Sequence, residues 1–251
     1  MLKKRIITTM LWNGTTLVKG NQFKNSRRAG SPITTIKIYN SRDVDEILFF
    51  DINKTETTGN FDLDFIRQLT DECNVPITIG GGVKKIYHIT DLLFAGADKV
   101  TLNSENYRNI DLISEAAKKF GSQTIVVGID YKFINGEYIC MSKSGKVTEK
   151  INPVDWALKC EDHGAGEIIL TSIDHDGLME GYDYKILEKI SKKLRIPVVA
   201  SGGAGNYQHM LKAFQSGASA VAAASIYHFT EQTPSEAKFF LSENDILIRK
   251  N

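Results

Sequence analysis

Two glycine-rich loops, each followed at a distance by a small hydroxyl residue, are the part of this sequence best suited to chemistry. Gly80-Gly81-Gly82 returns 121 positions later as Ser201-Gly202-Gly203, and Ser104 returns as Ser225 at the same offset. Glycine turns at strand ends let backbone N–H groups close on phosphate oxygens. Two such loops predict a ligand with a phosphate at each end. A second set of residues carries charge near the start of apolar runs: Arg5, Glu46, Lys99 and Glu167. A third is the segment 12–34, with Lys19, Lys24, Arg27 and Arg28. Its glycines and polar residues predict a mobile lid over an anion.

The elements that position these residues repeat with them. The same offset carries Val75-Pro76-Ile77-Thr78 onto Ile196-Pro197-Val198-Val199, Gly96-Ala97 onto Gly217-Ala218, and Asp51-Ile52 onto Ser172-Ile173. A register that never slips marks a doubled half rather than two unrelated loops. Short apolar strands are expected at 5–11, 46–52, 76–80, 98–103, 124–130, 167–172, 197–201 and 220–224, alternating with helical patterns. Eight such units predict an α/β fold, a (β/α)8 barrel built from two half-barrels, with residues 1–251 as one domain. Asn152 with Pro153, Asn206, and Thr233 with Pro234 read as helix starts, and Gly164 and Gly217 as helix ends. Asn135-Gly136 between Phe133-Ile134 and Tyr138-Ile139 predicts a hairpin within 131–150.

Composition excludes several classes. The 31 basic and 30 acidic residues leave a formal charge of +1, with no excess to draw nucleic acid. Cys73, Cys140 and Cys160 are odd in number and widely spaced, which suggests a reducing compartment and no metal site. No cofactor motif stands out. Lys3-Lys4-Arg5 before Ile6–Trp12 has the flavour of a signal peptide, but the apolar run is brief and no small-residue cleavage site follows. It reads as the first buried strand. With no stretch long enough to span a bilayer, a cytoplasmic protein without membrane contact is expected.

Side chains alternate along a strand, so one parity faces the barrel axis. That parity selects Arg5, Ile7, Thr9 and Leu11 on the first strand and Glu46, Leu48 and Phe50 on the second. It selects Lys99, Thr101 and Asn103 on the fourth, and Glu167, Ile169 and Thr171 on the sixth. Arg5, Glu46, Lys99 and Glu167 then meet at the bottom of the barrel. Two readings stand: a neutral ring gating an axial passage, or rim residues exchanging surface salt bridges. Small inward residues (Thr9, Thr78, Thr101, Ala200, Ala222) leave room above the ring for a small polar molecule such as ammonia.

Lys3–Ile7, Val18-Lys19-Gly20, Gly80-Gly81-Gly82, Ala95–Val100, Gly121–Asp130, Gly164–Ser172, Asp176-Gly177, Gly181-Tyr182-Asp183, Ala200–Gly205, Ala223–Ile226 and His228-Phe229 together identify a family. On them the whole chain resembles the HisF family, the cyclase subunit of imidazole glycerol phosphate synthase. The resemblance implies a glutamine amidotransferase system. A HisH-like glutaminase docks on the bottom face, and its ammonia passes the Arg5, Glu46, Lys99, Glu167 gate. Gly82, Asn103 and Ser104 match one phosphate cradle; Asp176, Gly177, Gly203, Ala224 and Ser225 match the other. Lys19 matches a lysine at the root of the lid that holds phosphate or assists Asp130.

The family works with two aspartates, at the tops of strands 1 and 5. Asp130 matches the second. Leu11 stands where the first belongs, and no Asp or Glu occurs before Asp43. Leucine transfers no proton; losing a positioned acid or base costs roughly 10²–10⁴-fold in rate. A divergent branch of the family lacks this aspartate. It is associated with acetamidino-sugar formation in surface polysaccharides, alongside an ATP-dependent sugar amidotransferase. The alternatives are a histidine-pathway cyclase with an altered strand 1 and a non-enzymatic activator of a glutaminase. Blander readings also stand: Asp130 as a hairpin cap, Asp176-Gly177 as an ordinary turn, Lys19 as a solvent-facing lysine and His228 as a structural residue.

Overall fold

The computed structural model describes residues 3–54 and 61–249. The first half runs β1 (Arg5–Trp12), β2 (Leu17–Asn21), β3 (Lys24–Gly30), α1 (Pro32–Ser41), β4 (Glu46–Asp51), α2 (Leu63–Asp71), β5 (Ile77–Gly80), α3 (Ile86–Phe94), β6 (Lys99–Leu102) and α4 (Asp111–Phe120). The second runs β7 (Ile125–Ile134), β8 (Glu137–Ser142), β9 (Val147–Thr148), α5 (Pro153–Asp162), β10 (Glu167–Ser172), α6 (Tyr184–Ser191), β11 (Val198–Ser201), α7 (Tyr207–Gln215), β12 (Ala220–Ala223), α8 (Ser225–Phe229) and α9 (Pro234–Glu243).

The parallel strands β1, β4, β5, β6, β7, β10, β11 and β12 pair in that order, and β12 pairs back onto β1. This is the expected (β/α)8 barrel. Among the described residues, no helix is long and apolar enough to cross a membrane.

Helix starts and stops fall where the sequence put them. The side chains of Asn152 and Asn206 accept N–H groups of Val154 and His209, and Thr233 with Glu236 forms a reciprocal capping box. Gly164 and Gly217 leave their helices at φ of +97° and +101°, a region open to glycine without a Cβ penalty.

Two apolar layers result. The larger lies between strands and helices. The smaller fills the barrel axis with Ile7, Leu48, Val126, Ile169, Val199, Ala220 and Ala222. One expected inward residue is misplaced. Ala200 belongs to the outer layer, and Val199 faces the axis instead. Val199 pairs with Ile169 on one side and Ala220 on the other, so its neighbours set its parity. A strand of four residues carries too little alternation to fix this alone.

The segment read as a mobile lid is an ordered antiparallel ribbon, β2 with β3, paired to the top of β1. The Gln22 N–H donates to the Asp176 carbonyl oxygen at 2.7 Å and anchors its turn. The Asn135-Gly136 hairpin forms as expected, with φ of +51° and +89° suiting a twisted two-residue turn.

Candidate functional site

The bottom of the barrel carries a closed ring of ion pairs. Arg5 Nη1 reaches Glu46 Oε2 at 2.6 Å, and its Nη2 bonds Glu167. Lys99 Nζ lies 3.0 Å from Glu46 Oε1 and 2.9 Å from Glu167 Oε2. The Thr78 hydroxyl donates to Glu46 Oε1 at 2.9 Å. The side chains of Glu46 and Glu167 are 3% and 7% exposed, which removes the surface-rim reading. Burial disfavours the Glu167 carboxylate, but Arg5 and Lys99 outweigh it and hold the carboxyl below its ordinary range.

At the opposite end, where the strands finish, a cavity of about 670 Å³ opens. All ten residues expected at the catalytic and phosphate positions line it: Lys19, Asp130, Asp176 and the seven cradle residues. Its lower lining reaches Thr9, Thr101, Ile169 and Ala222. Ile7, Leu48, Val126 and Val199, packed as an apolar layer, separate it from the ring. Thr9 Oγ1, Thr101 Oγ1 and Asn103 Oδ1 are buried polar atoms with no hydrogen-bond partner in the protein, so this region suits a small polar guest.

Asp130 sits on β7 with Asn103 Nδ2 donating to its Oδ2 at 2.9 Å. Its carboxyl is turned to Asn103 rather than capping the hairpin. Burial raises its pKa; bonds from Asn103 and Thr171 oppose the rise, the charge of Asp176 adds to it, and the result is about 7. A carboxyl poised there serves as acid or base at neutral pH.

Leu11, on β1, lines the same cavity. β1 and β7 lie four strands apart in the ring of eight, so Leu11 and Asp130 face each other across its width. Four other carboxylates line the cavity: Asp51, Glu105, Glu149 and Asp176. Asp51 Oδ1 accepts the N–H groups of Asn53 and Lys54 at 3.1 and 3.2 Å. Asp176 is bound by Lys19. Burial pushes the pKa of Asp51 and Asp176 upward, against those partners.

The basic residues of the ribbon divide. Lys19 is buried, at 4% exposure, and bound to Asp176; it neither faces solvent nor touches Asp130. Lys24 lines the cavity. The Arg27 guanidinium lies 3.6 Å from the centroid of the Phe229 ring, and Arg28 Nε donates to Thr16 Oγ1, so neither covers an anion here. Asp176 itself repels phosphate, and its contribution is to fix Lys19 and the turn before Gly177. His228 is structural, between the Tyr39 hydroxyl at 3.1 Å and the Thr9 carbonyl oxygen at 3.3 Å. Burial pushes the Cys140 thiol to about 12, which disarms it as a nucleophile.

Both cradles are tight. A Cβ on Gly82 would lie 2.4 Å from the Lys54 carbonyl oxygen; one on Gly203 would lie 2.0 Å from that of Gly181. Side chains are excluded at both, which leaves backbone facing the cavity. Sequence reasoning missed Lys84, Glu105, Arg108 and Lys143, all in the lining. They sit on loops, where periodicity gives no direction; their nearness to Gly82 and Ser104 was the available signal.

Comparison with known proteins agrees with this geometry. The family described as "Histidine biosynthesis protein" matches residues 6–233. The chain is 42% identical over 250 residues to the imidazole glycerol phosphate synthase subunit HisF of Chlorobaculum parvum, covering 99% of this chain and 100% of that one. It is 42% identical over 251 residues to the same subunit from Flavobacterium johnsoniae, covering 99% and 100%. The Thermococcus onnurineus subunit is 42% identical over 252 residues, covering 100% of both chains. Barrel, cavity and full-length similarity together show that the chain belongs to the histidine biosynthesis protein family, as a homologue of HisF.

Proposed function

We propose that this chain is the synthase subunit of a glutamine amidotransferase system, and that it delivers ammonia to an acceptor other than the imidazole precursor. A HisH-like glutaminase docks on the bottom face, around the ring. Ammonia crosses the layer of Ile7, Leu48, Val126 and Val199 and reaches the cavity. An apolar layer favours neutral ammonia over ammonium, because an isolated charge pays a large desolvation cost there. The cradles at Gly82, Asn103, Ser104 and at Gly177, Gly203, Ala224, Ser225 hold a phosphorylated ligand through backbone N–H groups. Asp130 takes the proton that nitrogen sheds on attack.

One observation carries this reading: Leu11 stands opposite Asp130 while the ring is intact. None of the other lining carboxylates stands on β1; Asp51 Oδ1 accepts backbone N–H groups and Asp176 is paired with Lys19. A barrel that keeps the ammonia route and lacks half of the proton machinery fits acetamidino-sugar formation, with an ATP-dependent sugar amidotransferase activating the acceptor in the cytoplasm.

The test supplies the purified chain with ammonium salt and the ribulose-type aminoimidazole ribonucleotide. Turnover far below ordinary cyclase rates, together with stimulation of a partner glutaminase, is expected. Turnover at ordinary cyclase rates sinks the reading. It would establish the second one, a histidine-pathway cyclase, which the intact cradles and the poised Asp130 favour. Stimulation of the glutaminase without ammonia transfer would instead leave a scaffold.

A further inference from the structure

The two cradles occupy equivalent places in the two half-barrels, and a side-chain bond repeats with them. His88 Nδ1 accepts the Lys84 N–H at 3.1 Å, and His209 Nδ1 accepts the Gly205 N–H at 3.2 Å. Around this matched backbone the side chains diverge. Lys84 stands where the second cradle has Gly205, and Arg108 where it has Phe229. A Cβ on Gly205 would lie 1.9 Å from the Met179 carbonyl oxygen, so no side chain can stand there and the second cradle has no counterpart to Lys84. The first is furnished differently. Lys84 and Arg108 line the cavity, and Lys143 joins them from the β8–β9 turn, with its N–H on Ser104 Oγ at 2.9 Å.

Among the described residues, none of these three cations makes an ion pair. Three carboxylates share that part of the lining. Asp51 is held by N–H groups, Glu149 by the Ser142 hydroxyl, and Glu105 follows Ser104 directly. Cations and carboxylates that line one wall without pairing suit a ligand with both anionic oxygens and hydroxyl donors. A single phosphate held by the Gly82 and Ser104 backbone leaves Lys84, Arg108 and Lys143 unused.

We propose that the first cradle takes a diphosphate, of the kind that links a nucleoside to a sugar, with Lys84, Arg108 and Lys143 on the second phosphate and Glu105 accepting hydroxyls beyond it. The inference rests on the reading of the glycine loops as phosphate sites, and it makes the acceptor asymmetric: a terminal phosphate or apolar end at Gly203, a nucleoside diphosphate end at Gly82.

The test is calorimetric titration of the full chain with inorganic pyrophosphate and with inorganic phosphate. Pyrophosphate is expected to bind at least about tenfold tighter, as one added charge-assisted contact supplies. Arg108→Ala and Lys84→Ala each remove that preference, and Arg28→Ala, outside the cavity, keeps it. Arg108 is exposed, so its loss does not threaten the fold. Equal affinity for the two anions, or a preference that survives both substitutions, overturns the proposal. Binding is read on the free chain and ammonia delivery with a glutaminase present, so either reading fails without the other.

Discussion

Leu11 and Asp130 face each other across the mouth of the barrel, an aliphatic side chain opposite a carboxyl poised near neutrality. A two-carboxylate reaction therefore has only one of its groups on this axis. Leu11→Asp restores the missing one. Cyclisation of the aminoimidazole ribonucleotide with ammonium salt is expected to rise by roughly 10²-fold or more. No gain would place the divergence beyond this position.

Asp130 gives the reaction a pH signature. Its pKa of about 7 lies far above the carboxylate reference of 3.8, so the folded state favours the protonated form. Its penalty on stability is absent below the reference value and grows as pH rises toward 7. Urea unfolding is expected to show stability falling across that window, and Asp130→Asn to flatten the slope. With ammonia supplied by glutamine hydrolysis rather than as ammonium salt, a step that uses Asp130 as base is expected to rise as pH approaches 7 and to level above it.

The ring responds in the opposite sense. Arg5 and Lys99 hold the Glu167 carboxyl below its ordinary range. Its stabilisation is present above the unfolded value and is lost as pH falls through the folded one. Glu167→Gln leaves two cations facing one carboxylate and is expected to cost roughly 1–3 kcal/mol, less than for a fully buried pair because Arg5 and Lys99 touch water. Acid unfolding of the variant should begin from a lower baseline with a shallower pH dependence.

Lys19 and Asp176 anchor the β2–β3 ribbon to the loop after β10. Lys19→Met leaves a buried carboxylate unpaired, a loss of about 2–4 kcal/mol before Asp176 protonates. Hydrogen exchange should accelerate across Leu17–Gly30 and leave the barrel strands protected. The Lys19→Met/Asp176→Asn pair should recover part of the loss.

Glycines of the cradle and of the hairpin separate steric from conformational cost. Gly203→Ala drives a Cβ to within 2.0 Å of the Gly181 carbonyl oxygen; Gly136→Ala meets nothing within 4 Å. Both sit at positive φ, +114° and +89°. The first is expected to cost roughly 3 kcal/mol or more, the second about 1 kcal/mol. Equal shifts in melting temperature would show that the close approach at Gly203 relaxes freely.

Much of the architecture was legible in the chain, for identifiable reasons. The 121-residue offset exposed the doubling, and Asn152, Asn206 and Thr233 marked helix starts because their side chains satisfy N–H groups that helices leave open. Alternation on β1, β4, β6 and β10 placed Arg5, Glu46, Lys99 and Glu167 together at the bottom of the axis. The same rule failed at Ala200, where β11 is short and its neighbours chose the parity.

The sequence by itself determined the barrel, the two glycine cradles, the ring composition and the leucine at position 11, because each is written in local spacing or residue type. Tertiary structure alone decided that Lys19 turns to Asp176, that Arg27 stacks on Phe229, and that Lys84, Arg108 and Lys143 gather at one cradle. Those partners lie on different loops, and loop side chains take their direction from what packs against them rather than from any period along the chain. Asp130 shows the division most plainly: its identity is local, while its pKa comes from the burial and the neighbours that closing the barrel supplies.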